Sequence, residues 1–309
     1  MLESNARQEY LFNDFDEYAK FVRQADLEHS QLSSGSFSGS LVQLIHGPVI
    51  ISHHQMNQKI LQQGAGLNGY LTFLLPGNMQ QDIIWRKSRL KGNVIGVLHG
   101  KMEHDCITPE NFVGIPVSVE NDHLIKLIHS LGYSRIIKYL KHKEVITIDE
   151  LKAQNLHKMV MKCLSNETND LASEINNMLL ILIQSLYESV ENDDSIQPIR
   201  IKKMRIFSQA RDFIHANSEN TILVSDLCSN MGVSERSLRY AFERTAGLSP
   251  KKYINHCRLN KVRTDLKSGY FEKIIEVAHH YGFWHTGQFA ADYLKLFGEL
   301  PSSTFKSAG

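Results

Sequence analysis

The chain has no apolar run long enough to cross a bilayer. Its longest strongly apolar stretch, Met178–Ile183, is far short of the ~20 residues that a spanning helix needs. The opening MLESNARQEY holds acidic groups and no apolar core, so export by a secretory leader is not expected. Cysteine is scarce, and Cys106, Cys163, Cys228 and Cys257 form no CxxC pair. That argues against a disulfide scaffold and against a zinc finger, and it makes a reducing cytoplasm the expected location. A GxSxG elbow, a Walker loop and a dinucleotide fingerprint are also missing, which removes the motif-based enzyme classes. What remains is globular material: 309 residues, 42% hydrophobic and 22% charged. At roughly 150 residues per domain this suggests two domains with cores of their own.

Charge is unevenly placed. The net charge of +1 conceals 17 Lys+Arg against 23 Asp+Glu in residues 1–199, and 17 against 10 in residues 200–309. The first part therefore carries −6 and the last third +7. A basic third joined to an acidic two thirds points to a polyanion as the partner of the C-terminal part.

The hydrophobic pattern divides the chain in the same way. Residues 1–35 read as a polar lead-in with one amphipathic stretch, Phe15 to Leu27. Between about 37 and 119, short apolar runs (Leu41–Ile45, Val49–Ser52, Tyr70–Leu75, Asp82–Trp85, Val94–Leu98, Phe112–Val119) are separated by Gly, Pro and Asn turns. That spacing predicts an antiparallel β-sandwich or small barrel. Helical periodicity takes over from about 120 to 192. Its clearest helix, Thr168–Glu191, carries a stripe of Leu171, Ile175, Met178 and Leu182, widened by Leu179 and Leu186. The stripe suits either packing on the chain's own sheet or a dimer helix pair. Residues 193–199 read as a linker and 200–309 as a separate helical domain.

The helical domain contains a repeat. Val224–Pro250 reads VSDLCSNMGVSERSLRYAFERTAGLSP, and Ile274–Ser302 reads IIEVAHHYGFWHTGQFAADYLKLFGELPS. Leu227, Cys228, Gly232, Leu238 and Phe242 align with Val277, Ala278, Gly282, Phe289 and Tyr293, with Phe283 following the second turn. A small residue lets one helix cross closely over the next. A glycine four residues later takes the positive φ of a sharp turn. Apolar residues four apart then pin the second helix through one face. Ser234 is placed to cap the first copy's second helix, and Glu235 adds a favourable charge at that helix start. This is helix-turn-helix logic, in which the second helix enters the major groove.

Over about Ile206 to Phe305 the chain resembles the AraC/XylS family of bacterial transcription regulators. Tyr253, Arg258 and Leu259 stand where that family's linker-helix motif has Tyr, Arg and Leu. The second repeat, GFWHTGQFAADYLKLFGELPS, resembles a narrower branch that includes the ethanolamine-utilisation regulator, as does the phrase at Gln31–Ser40 and Gln58–Gly64. The resemblance implies a cupin-like N-terminal sensing and dimerising domain over 1–192, an all-α double helix-turn-helix reader, and RNA polymerase as a further partner. The expected class is thus α+β.

The resemblance places base reading on Arg236, Arg239 and Tyr240 of the first unit. Arginine grips guanine O6 and N7 in a bidentate way. In the second unit Ala290, Ala291 and Asp292 replace a commonly basic pattern, and the outward candidates are His285, Thr286, Gly287 and Gln288. Ala291 and Thr286 suit a thymine methyl, whereas Trp284 reads as packing at the helix start. Phosphate contacts are expected from Lys251, Lys252, Lys261, Arg263, Lys267 and Lys295. The first unit is then expected to carry more of the specificity.

Two other readings compete. A metal-binding cupin enzyme would draw on His53, His54, His99, Glu103, His104 and Asp105, but the HxH-then-Glu arrangement is absent and the adjacent His53 and His54 point to opposite faces of a strand. Cys106 has His99 and His104 nearby but no pattern of an activated nucleophile. A regulator that binds a ligand or partner, with only weak DNA contact, is favoured by the second unit's alanines and opposed by the first unit's arginines. The expectation is therefore a non-enzymatic, sequence-specific DNA-binding regulator of promoters, an activator in the family's manner. It needs no cofactor or metal, responds to an unidentified small-molecule effector, pairs as a homodimer and has no membrane partner.

Overall fold

The computed structural model describes residues 5–22, 27–76, 82–86, 88–100, 103–165, 170–191, 202–217 and 222–306. They form two compact units. The first holds the described residues of 5–29, 38–57 and 62–191, and the second holds 30–37, 58–61 and 202–306. The linker expected at 193–199 lies outside the described residues.

The β-rich part of the chain begins with β1 (Asn5–Phe12), α1 (Phe15–Val22), β2 (Leu27–Gln31), β3 (Gly39–His46), β4 (Val49–Met56) and β5 (Ile60–Ala65). Next come β6 (Tyr70–Pro76), β7 (Ile83–Trp85), β8 (Ser88–Leu90), β9 (Val94–His99), β10 (Glu103–Ile107) and β11 (Phe112–Glu120). It closes with α2 (Asn121–Ser130), α3 (Arg135–Leu140), β12 (Val145–Thr147), α4 (Glu150–Leu164) and α5 (Leu171–Glu191). Seven strands make one antiparallel sheet in the order β1-β3-β4-β11-β6-β9-β12. Five make a second, β2-β5-β10-β7-β8. The expected β-sandwich with appended helices is present.

Strand alternation decides what each face meets. In β4, Val49 and Ile51 join the core under the helices, while Ile50, Ser52 and His54 face the space between the sheets. β6 does the same with Phe73 and Leu75 against Thr72 and Leu74, and β11 with Ile115 and Val117 against Pro116 and Ser118. The outer face is covered by the apolar stripes of the helices, including Leu124, Ile128, Ile136, Leu156 and Val160.

The α5 stripe belongs to that cover. Ile175, Met178, Leu179, Leu182 and Leu186 are all essentially buried in the unit's own core, with Leu171 packed at its edge. Of the two readings, packing on the chain's own sheet is the one observed. A dimer helix pair through these residues would require that core to open.

The lead-in is corrected. Residues 5–12 are not loop but edge strand β1, paired with β3 from Asn5↔His46 to Phe12↔Gly39. Its side chains are largely exposed apart from Phe12, so backbone pairing forms the strand without an apolar alternation to reveal it.

The second unit adds α6 (Lys202–Ala216), α7 (Val224–Met231), α8 (Glu235–Thr245), α9 (Pro250–Ser268), α10 (Ile274–His280), α11 (Thr286–Phe297) and α12 (Pro301–Lys306). Phe207, Phe242 and Tyr253 form an edge-to-face aromatic cluster at its centre, with centroids 4.9–5.6 Å apart. Among the described residues no helix is long and apolar enough to cross a membrane.

Candidate functional site

The two halves of the repeat close their turns with the same kind of bond. In the first, Gly232 has φ 61° and the Val233 N–H donates to Cys228 O at 3.1 Å. In the second, Gly282 has φ 77° and the Phe283 N–H donates to Ala278 O at 2.8 Å. Both are six-to-one turn bonds with glycine in the left-handed position, which a Cβ would strain. Leu227, Leu238 and Phe242 are fully buried, as are Ala278 and Tyr293, with Phe289 nearly so; Cys228 and Phe283 are half-buried. These residues anchor α8 and α11 and determine which face of each is turned outward.

On α8 the outward face holds Arg236, Arg239 and Tyr240, all exposed, opposite buried Leu238, Ala241 and Phe242. Ser234 Oγ accepts the Ser237 N–H at 3.3 Å and caps the helix. Arg239 Nε donates to Glu243 Oε1 at 2.8 Å one turn along, and Arg244 lies 5.3 Å over the Tyr240 ring. Both pairs are solvent-facing, so either arginine can be redirected at little cost.

On α11 the residues His285, Thr286, Gly287, Gln288 and Ala291 are exposed. The face is nearly chargeless. Gln288 Nε2 donates to Asp292 Oδ1 at 2.8 Å, and Asn255 Nδ2 donates to its other oxygen at 3.3 Å. Trp284 is corrected. It is 68% exposed, with its ring 4.9 Å from that of His279. An exposed tryptophan at the start of the second presented helix adds a flat apolar contact to that face. Its neighbours, His285 and Thr286, were the available signal.

The basic candidates separate by burial. Lys251, Lys252 and Lys295 are exposed, and Lys261 and Lys267 half-buried. Arg263 is not a phosphate contact. Its side chain is 6% exposed and is spent inside the unit. The guanidinium donates to Tyr293 Oη at 3.4 Å and Thr304 Oγ1 at 3.3 Å, pairs with Glu299, and lies 5.0 Å over the Phe297 ring.

Sequence reasoning missed a structural part of this unit. Residues 30–37 and 58–61 belong to it. Gln31 and Asn260 bond reciprocally, the Gly35 N–H reaches Leu296 O at 3.0 Å, and the His256 ring nitrogen Nδ1 donates to Leu32 O at 3.0 Å. Lys59 Nζ donates to Ala246 O, just after α8, at 3.1 Å.

The candidate ligands His53, His54, His99 and His104 do not gather into a metal site among the described residues. His99 Nε2 donates to Leu140 O at 2.9 Å. His54 and His53 lie on opposite faces of β4, His54 towards the space between the sheets. No group of three metal-ligating side chains meets among the described residues. Cys106 is buried, and burial pushes its thiol well above the ordinary value, away from the thiolate a nucleophile needs. His54 and His104, with Trp85 and Cys106, line a cavity of about 120 Å³ between the two sheets.

Residues 227–307 match the model of a helix-turn-helix domain. Over this third the chain is 39% identical across 102 residues to the XylDLEGF operon transcriptional activator of Pseudomonas putida, covering 32% of each protein. It is 33% identical across 100 residues to a probable thc operon regulatory protein of Rhodococcus erythropolis, covering 32% of this chain and 30% of that one. The match thus spans about a third of the length of these curated relatives. Among solved structures, a probable AraC family transcriptional regulator from Rhodopseudomonas palustris is 32% identical, covering 34% of this chain and 97% of that one, with a TM-score of 0.32. The AraC-like transcriptional activator CuxR covers 86% of this chain and 96% of its own at 13% identity, with a TM-score of 0.45. The C-terminal third is a helix-turn-helix domain similar to those of AraC/XylS-type regulators.

Proposed function

We propose that the whole chain is a sequence-specific transcription regulator that reads promoter DNA through α8 and α11 and is controlled through its β-sandwich unit. The observation that carries this is the outward face of α8. Arg236, Arg239 and Tyr240 stand exposed on a helix locked behind a glycine turn, in the basic part of the chain. The same turn in the second repeat presents a second helix of different chemistry. In this reading Arg236 and Arg239 take guanine edges, Tyr240 and Trp284 make flat contacts, and Ala291 and Thr286 meet thymine methyls. Lys251, Lys252, Lys261, Lys267 and Lys295 hold phosphates.

Activation, homodimerisation and engagement of RNA polymerase belong to the same proposal, and the printed names of the activator relatives support the first of these. The finer placement beside the ethanolamine-utilisation regulator rests on the Gln31–Ser40 phrase and the second repeat. It extends to the reader and not to the effector, since no carboxylate lines the described cavity to hold an ammonium. An effector acts by binding DNA-competent and incompetent states with different affinity.

The test is selection of genomic fragments by the purified full chain at near-physiological salt, followed by sequencing. The expected result is a recurrent motif with two submotifs about one helical turn, ~34 Å, apart. Salt-sensitive binding that is blind to sequence, with or without the effector domain's ligand, would overturn the proposal.

A further inference from the structure

The α5 stripe is buried in its own unit, so a homodimer needs another surface. Sheet edges are where a second chain can pair through backbone alone. Among the described residues four strands stand at an edge: β1 and β12 of one sheet, β2 and β8 of the other. β12 and β8 are three residues each, and shortness is a usual way to blunt an edge. β2 has five residues, and its last, Gln31, is held by the helical unit. β1 is different. It is eight residues long, NARQEYLF, and carries neither the lysine nor the proline that commonly guards an edge. Its strand neighbour is β3, so alternate residues turn N–H and C=O away from the sheet.

The two charges of β1 stand on one face. Residues directly opposite in an antiparallel pair share a face. Arg7 is opposite Leu44 and Glu9 opposite Val42, both on the helix-covered side. Arg7 Nε donates to Leu164 O, at the end of α4, at 2.8 Å, which holds the guanidinium in place. Its Nη2 is 3.4 Å from Glu9 Oε2. Glu9 is exposed, and Leu11 on the same face is 83% exposed. A second copy that continues this sheet, with its helices on the same side, is related by a two-fold axis normal to the sheet. That axis passes through one residue of β1. At Arg7 it sets Arg7 against Arg7, and at Glu9 it sets Glu9 against Glu9. At Gln8, midway, it sets each Arg7 opposite the Glu9 of the other copy. Unlike charges directly opposite stabilise a strand pair and like charges destabilise it, so Gln8 is the favoured centre.

We infer that two copies of this chain associate through β1, antiparallel about Gln8, and join their seven-stranded sheets into one. The inference rests on the homodimer half of the function proposed above. It is tested on protein without DNA, so its outcome leaves the reading of DNA untouched.

The experiment is sedimentation velocity of the full chain over a range of concentrations. Pairing along one strand is a small interface, so the parent is expected to pass from monomer to dimer as concentration rises. Glu9→Arg and Arg7→Glu each place like charges opposite one another and should weaken self-association by roughly 10-fold or more. An equal mixture of the two variants should restore dimers, because each basic strand then meets an acidic one. Melting temperatures near the parent's identify the variants as folded. A short bismaleimide reads the register even where a charge variant does not fold. Gln8→Cys should cross-link to itself, since the two positions lie ~5 Å apart across the strands. Leu11→Cys should not, since in this register its two copies lie ~20 Å apart along the strand. The parent, with Cys106, Cys163 and Cys257 buried and Cys228 half-buried, sets the background. A parent that stays monomeric throughout would overturn the homodimer and this surface together. A dimer indifferent to both charge variants, or one cross-linked better through Leu11→Cys than through Gln8→Cys, would keep the homodimer and overturn this inference alone.

Discussion

Gln31 and Asn260 are joined by two reciprocal hydrogen bonds across 229 positions of sequence. The Gln31 N–H donates to Asn260 Oδ1 at 2.8 Å, and Asn260 Nδ2 donates back to Gln31 O at 2.9 Å. One side-chain amide thus serves as a strand partner for a backbone residue. The Gln31 side chain continues the clasp, with Nε2 donating to Gly35 O at 2.7 Å and Leu296 O at 2.6 Å. The segment 30–37 is therefore part of the helical unit, held against α9 and the end of α11.

Replacing Asn260 by Leu keeps volume and removes both bonds. The Gln31 N–H and C=O are then buried without partners, at about 1–3 kcal/mol for each orphaned group. Urea unfolding of the full chain is expected to show a loss in that range. A fragment of 200–309 lacks the segment altogether, so it should melt below the same unit within the full chain. A fragment as stable as the unit in the full chain, or an Asn260→Leu variant with unchanged stability, would mean the clasp contributes nothing.

Arg239 and the lysines at the start of α9 are expected to fail differently on DNA. Loss of a bidentate base contact costs about 1–3 kcal/mol of discrimination, so Arg239→Ala should lower affinity for the selected operator by roughly 5- to 150-fold and leave random DNA nearly unchanged. Lys251→Ala and Lys252→Ala should lower both alike and reduce the slope of log affinity against log salt by about 1 each. Titrations on operator and random duplex at several salt concentrations separate these cases. Equal losses from Arg239→Ala on both duplexes would place it on the phosphate backbone.

Much of this was legible in the residues because periodicity reports burial. The runs that became β3, β4, β6, β9 and β11 carry apolar side chains on both faces, one towards the helices and one towards the cavity. The strands that escaped notice are those whose burial is incomplete or polar. β1 is an exposed edge, and β10 turns His104 and Cys106 inward within EHDCI. The helix-turn-helix turns were legible at Gly232 and Gly282, since backbone geometry there demands a residue type. Arg263 was misread because composition marks it as basic, and nothing local shows that Glu299 and Thr304 surround it. The place of Gln31 was invisible for a related reason: its partner is set by tertiary packing alone.

Arg263 is a buried cation, so its removal is a stability experiment. Breaking a buried ion pair by deleting one partner typically costs about 3–5 kcal/mol. Arg263→Ala should lower the melting temperature of the helical unit markedly, whether or not DNA is present. Arg263→Met, which fills the volume without a charge, still leaves the Glu299 carboxylate without its cation, though Thr304 Oγ1 continues to donate to it, and the pair Arg263→Met with Glu299→Gln should recover part of the loss. An Arg263→Ala protein with unchanged melting and a flatter salt slope on DNA would restore this residue to the phosphate contacts.

Acid should unfold the protein in a window set by histidine. Burial holds His54 and His104 down to about 3 and His29 to about 4 in the β-sandwich unit. In the helical unit it holds His215 and His256 to about 4. In the unfolded chain each titrates near 6.5. Between those values the unfolded chain binds more protons than the native one, so stability rises with pH there. It is complete above about 6.5 and is lost as pH falls towards 4. Melting temperatures should be flat from pH 7 to 8 and fall steadily from 6.5 to 5, a range in which exposed carboxylates have yet to take up protons. His54→Gln stays neutral at every pH and keeps a hydrogen-bonding group for the Tyr18 hydroxyl, which bonds to His54 Nδ1. That variant should show a shallower fall. A melting temperature constant between pH 7 and 5 would mean that these histidines are already solvated in the native protein.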